Sequence, residues 1–172
     1  MAREEIELKF RVEEALALRA RLRRLGFRVA VPRRRETNWI FDDALGRLRA
    51  GGLLLRLRQS GNNTWLLTAK GKRRAGALKR RVEWETAVGD GPACQGLLEL
   101  LGYRPTLRYA RWRTVLRRPG QVGEVAWDET PFGRYLEIEG SAGWVRRTAR
   151  ELGLAVTSAE PRSYPELYSA RR

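Results

Sequence analysis

Apolar and polar residues alternate with a period of two through most of the chain. That spacing puts successive side chains on opposite faces of a strand. It predicts strands over Glu4–Val12, Glu36–Asp42, Leu53–Gln59, Thr64–Lys70, Arg80–Val88, Arg108–Arg117, Val122–Asp128 and Arg134–Gly140. Three stretches carry a helical stripe instead: Val12–Leu25, with Ala15, Leu18, Leu22 and Leu25 on one face, then Ala93–Leu101 and Trp144–Leu152. Each stops at a glycine (Gly26, Gly102, Gly153), the usual C-terminal signal. Ser60-Gly61-Asn62-Asn63, Pro119-Gly120 and Thr130-Pro131-Phe132-Gly133 read as turns between strands. Eight short strands in one domain over residues 1–172 give a mainly β, α+β chain built as a sandwich or a barrel.

A weak repeat runs through these elements. Glu5-x-Glu7, Glu83-x-Glu85 and Glu137-x-Glu139 each precede a helix that closes on Leu-Gly. The faces of the strands carry more. Glu5, Glu7 and Lys9 oppose Ile6, Leu8 and Phe10; Arg56 and Arg58 oppose Leu55 and Leu57; Arg81, Glu83 and Glu85 oppose Val82 and Trp84. Arg111 and Arg113 oppose Trp112, Asp128 opposes Trp127, and Glu137 with Glu139 opposes Ile138. One such strand is an ordinary solvated face. Six of them carrying almost only Glu and Arg suggest a barrel with helices packed on the apolar outside and charge lining the inside.

Composition narrows the chemistry. The 172 residues hold no histidine and a single cysteine, Cys94, which excludes His-dependent triads, His-ligated metals and a disulfide framework. No apolar run reaches the length of a membrane span, and the charged N-terminus is unlike a signal peptide, so a cytoplasmic protein is expected. The formal charge of +15 calls for an anionic partner, and 31 of the 35 basic residues are arginine, the side chain that grips phosphate bidentately. Paired carboxylates supply hard oxygen ligands for magnesium or manganese. Together with arginine and lysine clamps they describe a site for a metal–polyphosphate complex. No P-loop is present.

The ordered motifs resemble those of the CYTH proteins, the triphosphate tunnel metalloenzymes. Glu5-Ile6-Glu7-Leu8-Lys9 matches the E-x-E-x-K signature. Asn38 to Asp42, Leu55-Arg56-Leu57-Arg58, Leu67 to Gly71, Arg81-x-Glu83-x-Glu85, Arg111-x-Arg113, Trp127-Asp128, Pro131 to Gly140 and Ser163 to Leu167 follow in family order. The resemblance implies an eight-stranded antiparallel closed barrel forming a tunnel, with about three helices outside. It implies metal at Glu5, Glu7, Asp128, Glu137 and Glu139. Substrate would lie on Lys9, Arg56, Arg58, Lys70, Arg81, Arg111 and Arg113, with Glu5, Glu7 and Lys9 acting in catalysis. Arg111 stands where many members carry lysine, and the His-Phe pair of the bacterial cyclase members is missing.

The expected activity is hydrolysis of inorganic or organic triphosphate with Mg2+ or Mn2+. The alternatives are an adenylate cyclase using ATP and a non-catalytic binder of polyphosphate or RNA. The expected partner is a small triphosphate, with neither membrane nor nucleic acid, and with a homodimer left open.

Overall fold

The computed structural model describes residues 3–61 and 63–170; Asn62 of the expected Ser60–Asn63 turn lies outside them. Eight strands form a closed antiparallel barrel: β1 (Arg3–Val12), β2 (Arg28–Asp42), β3 (Leu54–Ser60), β4 (Thr64–Lys70), β5 (Lys79–Val88), β6 (Arg104–Arg117), β7 (Gly123–Thr130) and β8 (Gly133–Gly140). Their order around the barrel is β1-β5-β4-β3-β2-β6-β7-β8. Among the described residues no helix is long and apolar enough to cross a membrane.

The three expected helices are α1 (Ala15–Arg24), α3 (Gly91–Leu100) and α4 (Ala142–Glu151), each following a strand of the Glu-x-Glu repeat. They end alike. The N–H groups of Phe27, Tyr103 and Leu154 reach back to the carbonyls of Leu22, Leu98 and Ala149 at 2.9–3.0 Å. That geometry turns the chain through positive φ, 81° at Gly26 and 89° at Gly102, where a Cβ would be strained. Two short helices were not expected: α2 (Arg47–Ala50) and α5 (Tyr164–Ser169).

The outside of the barrel holds the core. Leu8, Phe10, Val125, Trp127, Leu136 and Ile138 point outward and are buried with Leu22 of α1 and Trp144, Val145 and Ala149 of α4. On the opposite side Phe41, Leu57 and Trp65 meet Leu98 of α3. The outer face of β5 departs from this pattern: among the described residues no helix lies over Val82 and Trp84, which are 39% and 58% exposed. β2 is longer than its alternation suggested, because Arg28–Arg35 pairs with β6 alone across register shifts.

Candidate functional site

With the apolar side chains outside, the polar alternate positions of all eight strands face inward around a cavity of about 260 Å³. Ten cationic and eight carboxylate side chains line it, a balance of +2 against +15 for the chain. Most of the basic excess therefore lies outside the tunnel. Of the twelve residues expected in the site, Glu5, Glu7, Lys9, Arg56, Arg58, Lys70, Arg81, Arg111, Arg113, Glu137 and Glu139 all line this cavity. Asp128 does not; it lies fully buried behind the arginines.

The lining divides into three regions by how well its charges are matched. The first is a saturated web. Arg111 donates to Glu36 at 3.0 and 3.1 Å and to Asp128 at 3.2 Å. Arg113 donates to Asp128 at 2.5 and 2.7 Å and to Glu137. The Tyr164 hydroxyl completes Asp128 at 2.6 Å. Burial works against these charges, but the pairing outweighs it: Arg111 is held above its usual value by Asp128 and Glu36, and Glu36 far below its own by Arg111 and Arg113. Such a web holds residues in place.

The second region is rich in cations. The buried Nε atoms of Arg34, Arg56 and Arg58 have no hydrogen-bond partner. Burial, and then repulsion from Arg56, lowers the Arg58 guanidinium to about 10 despite Glu36 and Glu85. A buried donor left unsatisfied costs free energy, so this corner favours an anion. The third region is rich in carboxylates. Glu7 and Glu139 face each other across β1 and β8, and Lys9 faces Glu137. Burial, then repulsion from Glu5 and Glu7, pushes the Glu139 carboxyl up to about 7, with Arg3 at 3.4 Å only partly offsetting it. Glu5 itself stays at about 2, because Lys70 (2.5 Å) and Arg81 (2.9 Å) outweigh its burial. Burial lowers Lys9 to about 8, against the pull of Glu137 at 3.6 Å.

Among the described residues no three carboxylates converge into a ready-made metal cage. A magnesium-type ion does not require one. It commonly keeps several waters and takes one or two carboxylates plus substrate phosphates. Glu7 and Glu139 are the carboxylates here that could hold such an ion.

One end of the cavity is occupied by the segment 160–169. Glu160 N–H bonds the Lys9 carbonyl at 2.7 Å, and the Lys9 ammonium donates to the Arg162 carbonyl at 2.9 Å while lying 3.9 Å from the centre of the Tyr164 ring. Ser163 and Glu166 form a capping box that starts α5 there. The basic connection between β4 and β5 is tied to this segment through Arg73, which donates to the Pro161 carbonyl and pairs with Glu166.

The lining also brings in residues that were not expected to act in the site, among them Arg34, Glu36, Glu83 and Tyr164. The alternation Arg34-x-Glu36-x-Asn38 would have flagged the first two, since it continues the inward face of β2. Tyr164 gave no such signal, because it sits on a six-residue helix.

The profile of the CYTH domain family matches residues 3–164. No curated protein sequence matches the chain. A candidate adenylate cyclase from Vibrio parahaemolyticus has a TM-score of 0.83 at 23% identity, covering 98% of this chain and 99% of that one. The PH1819 protein of Pyrococcus horikoshii OT3 gives 0.82 at 23% identity, with 98% and 99% covered. HpAC1 from Hippeastrum, an adenylyl cyclase candidate described as having a dominant triphosphatase activity, gives 0.72 at 19% identity, with 98% and 96% covered. These likenesses establish a common barrel. The family match over nearly the whole chain, on a tunnel lined by the expected charged residues, establishes that this protein belongs to the CYTH domain family.

Proposed function

We propose that the protein is a divalent-metal-dependent triphosphatase that binds its substrate inside the barrel. The observation that carries this reading is the split lining: unpartnered guanidinium N–H groups on one side and mutually repelling carboxylates on the other. An anion alone would suit the first and a cation alone the second. A metal–triphosphate complex suits both.

Arg34, Arg56 and Arg58 offer donors to the phosphate oxygens, with Lys70 and Arg81 beside them. Arg111 and Arg113 are held rigid by Glu36 and Asp128, so their charge is already oriented when the transition state forms. Glu7 and Glu139, with Glu5 and Glu137 adjacent, would hold a magnesium or manganese ion. When bound, that ion would neutralise phosphate charge and lower the pKa of a coordinated water. A water oxygen forms the new bond to the terminal phosphorus, the bond to the bridging oxygen breaks, and the diphosphate leaves. The proton released by the water passes to a carboxylate of the Glu5–Glu7–Glu139 corner. Lys9, protonated at neutral pH, stabilises charge from the end closed by α5.

Binding measurements test this reading. Inorganic triphosphate should bind more tightly than diphosphate and should still bind at moderate salt, because the site is internal. Single-stranded RNA on the basic exterior should weaken steeply as salt rises. Tight RNA binding that triphosphate does not displace would favour the non-catalytic reading.

A further inference from the structure

The saturated web and the closed end of the tunnel meet at one side chain, Tyr164, to which the phosphate chemistry gives no part. It is buried at the first turn of α5, where the Ser163–Glu166 capping box fixes its backbone. Its hydroxyl donates to Asp128 at 2.6 Å. The same buried carboxylate accepts Arg111 at 3.2 Å and Arg113 at 2.5 and 2.7 Å. Three of these four bonds fall on one oxygen, Oδ2. Tyr164 therefore helps to fix the atom against which both guanidinium groups are set.

The ring is used as well. The Lys9 ammonium lies 3.9 Å and the Arg111 guanidinium 4.5 Å from its centre, within the range where a cation is drawn to an aromatic face. Tyr135 packs edge-on against the ring at 5.7 Å and Tyr109 stacks with it at 6.5 Å, so the ring is held in its turn. Through its two parts Tyr164 acts on three cations of the lining: Lys9 and Arg111 directly, and Arg113 by way of Asp128. Tyr168, four residues on, gives the comparison. Its hydroxyl donates to the Ala110 carbonyl of β6. Both hydroxyls thus tie α5 to the barrel, but the partner of Tyr168 is backbone, whereas that of Tyr164 is the carboxylate of the web. We infer that Tyr164 is a positioning residue, which sets Lys9, Arg111 and Arg113 in register for the phosphate chain while its own hydroxyl proton stays on Asp128. This rests on the triphosphatase reading and adds a residue to its machinery. Charge fixed in advance serves the transition state best. Losing the hydroxyl loosens Asp128 and the arginines it orients, and losing the ring frees Lys9 and Arg111 to shift.

The test compares Tyr164→Phe and Tyr164→Leu with Tyr168→Phe and Tyr168→Leu. Turnover of inorganic triphosphate is measured with magnesium or manganese, well below the Tm of every variant, and its affinity is titrated without metal. Tyr164→Phe should lose about tenfold in kcat, the scale of one hydrogen bond to a charged group, with KM changed less than about twofold. Tyr168→Phe, which loses only an anchor of α5, should keep kcat within about twofold. Tyr164→Leu should weaken metal-free triphosphate binding about tenfold, as two buried cations lose their ring, and Tyr168→Leu by less than about threefold. Equal losses at the two positions, in kcat or in affinity, would overturn the inference, because anchoring of α5 would then account for both. Failure of the wild type to hydrolyse inorganic triphosphate with either metal would overturn the triphosphatase reading instead, and the affinity comparison would still decide the role of Tyr164.

Discussion

Glu7→Gln and Glu139→Gln should each reduce the proposed metal-dependent turnover by about 10- to 100-fold, the scale on which metal sites respond to a lost contact, while the barrel remains folded. Gln keeps the shape of Glu and removes its charge. Glu5→Gln should have the same effect on turnover. The stability of Glu139→Gln separates this account from a trivial loss of structure. Burial and its carboxylate neighbours raise the folded-state value of Glu139 to about 7, above that of an exposed glutamate. An acid whose value rises on folding destabilises the fold once it ionises, so its cost is present above pH 7 and absent well below the unfolded value. Neutral Gln removes that cost. Metal-free Glu139→Gln therefore melts above wild type at pH 8, and the difference narrows as pH falls toward 5. Equal melting at pH 8 together with full turnover would leave Glu139 an ordinary solvated side chain.

Arg111→Met has the largest expected effect on stability. The Arg111 guanidinium is 3% exposed and joins Glu36, less than 1% exposed, to Asp128, also less than 1% exposed. Removing it leaves two buried carboxylates short of a partner, and breaking one side of a buried ion pair costs about 3–5 kcal/mol. For a chain of this size that lowers Tm by on the order of 10 °C. Arg56→Met makes the contrast. Its buried Nε has no partner, and its charge depresses Arg58. Its loss removes a bond to Thr68 at 3.2 Å and a 3.5 Å pair with Glu85, but orphans no buried carboxylate, so it costs less stability than Arg111→Met while weakening triphosphate binding. Paired thermal melts and triphosphate titrations on the two variants check this. Equal destabilisation would remove the distinction between a web that supports the site and donors that await a ligand.

The inverted barrel was legible because the alternation is strict where it matters. Glu5-Ile6-Glu7-Leu8-Lys9 and Glu137-Ile138-Glu139 place charge and bulk on opposite faces, and in the structure the bulk is buried under α1 and α4. The first half of β2 was not legible. Val31-Pro32 followed by three consecutive arginines shows no alternation, and only pairing with β6 makes it a strand. α2 and α5 were too short to show a helical stripe; Asp42 and the Ser163–Glu166 capping box hold them. Charge matching was beyond sequence altogether. Nothing in Arg56-x-Arg58 and Arg111-x-Arg113 distinguishes two arginine pairs that cross-strand neighbours set apart: Glu36 and Asp128 saturate Arg111 and Arg113, whereas Arg56 and Arg58 keep unpartnered Nε atoms. The same alternation suggested that Val82 and Trp84 would be covered, yet among the described residues no helix lies over β5 there.

Product analysis tests the central claim most directly. A hydrolase needs only to place water in line with the terminal phosphorus, whereas a cyclase must fix a ribose so that its 3′-oxygen reaches the α-phosphorus. The chain has no histidine to deprotonate that hydroxyl. Purified protein is incubated with magnesium or manganese and, at matched concentration, with inorganic triphosphate or ATP, and the products are identified. The account predicts metal-dependent orthophosphate release from both, faster from either than any formation of cyclic AMP. Cyclic AMP as the dominant product from ATP, or no phosphate release with either metal, would contradict it.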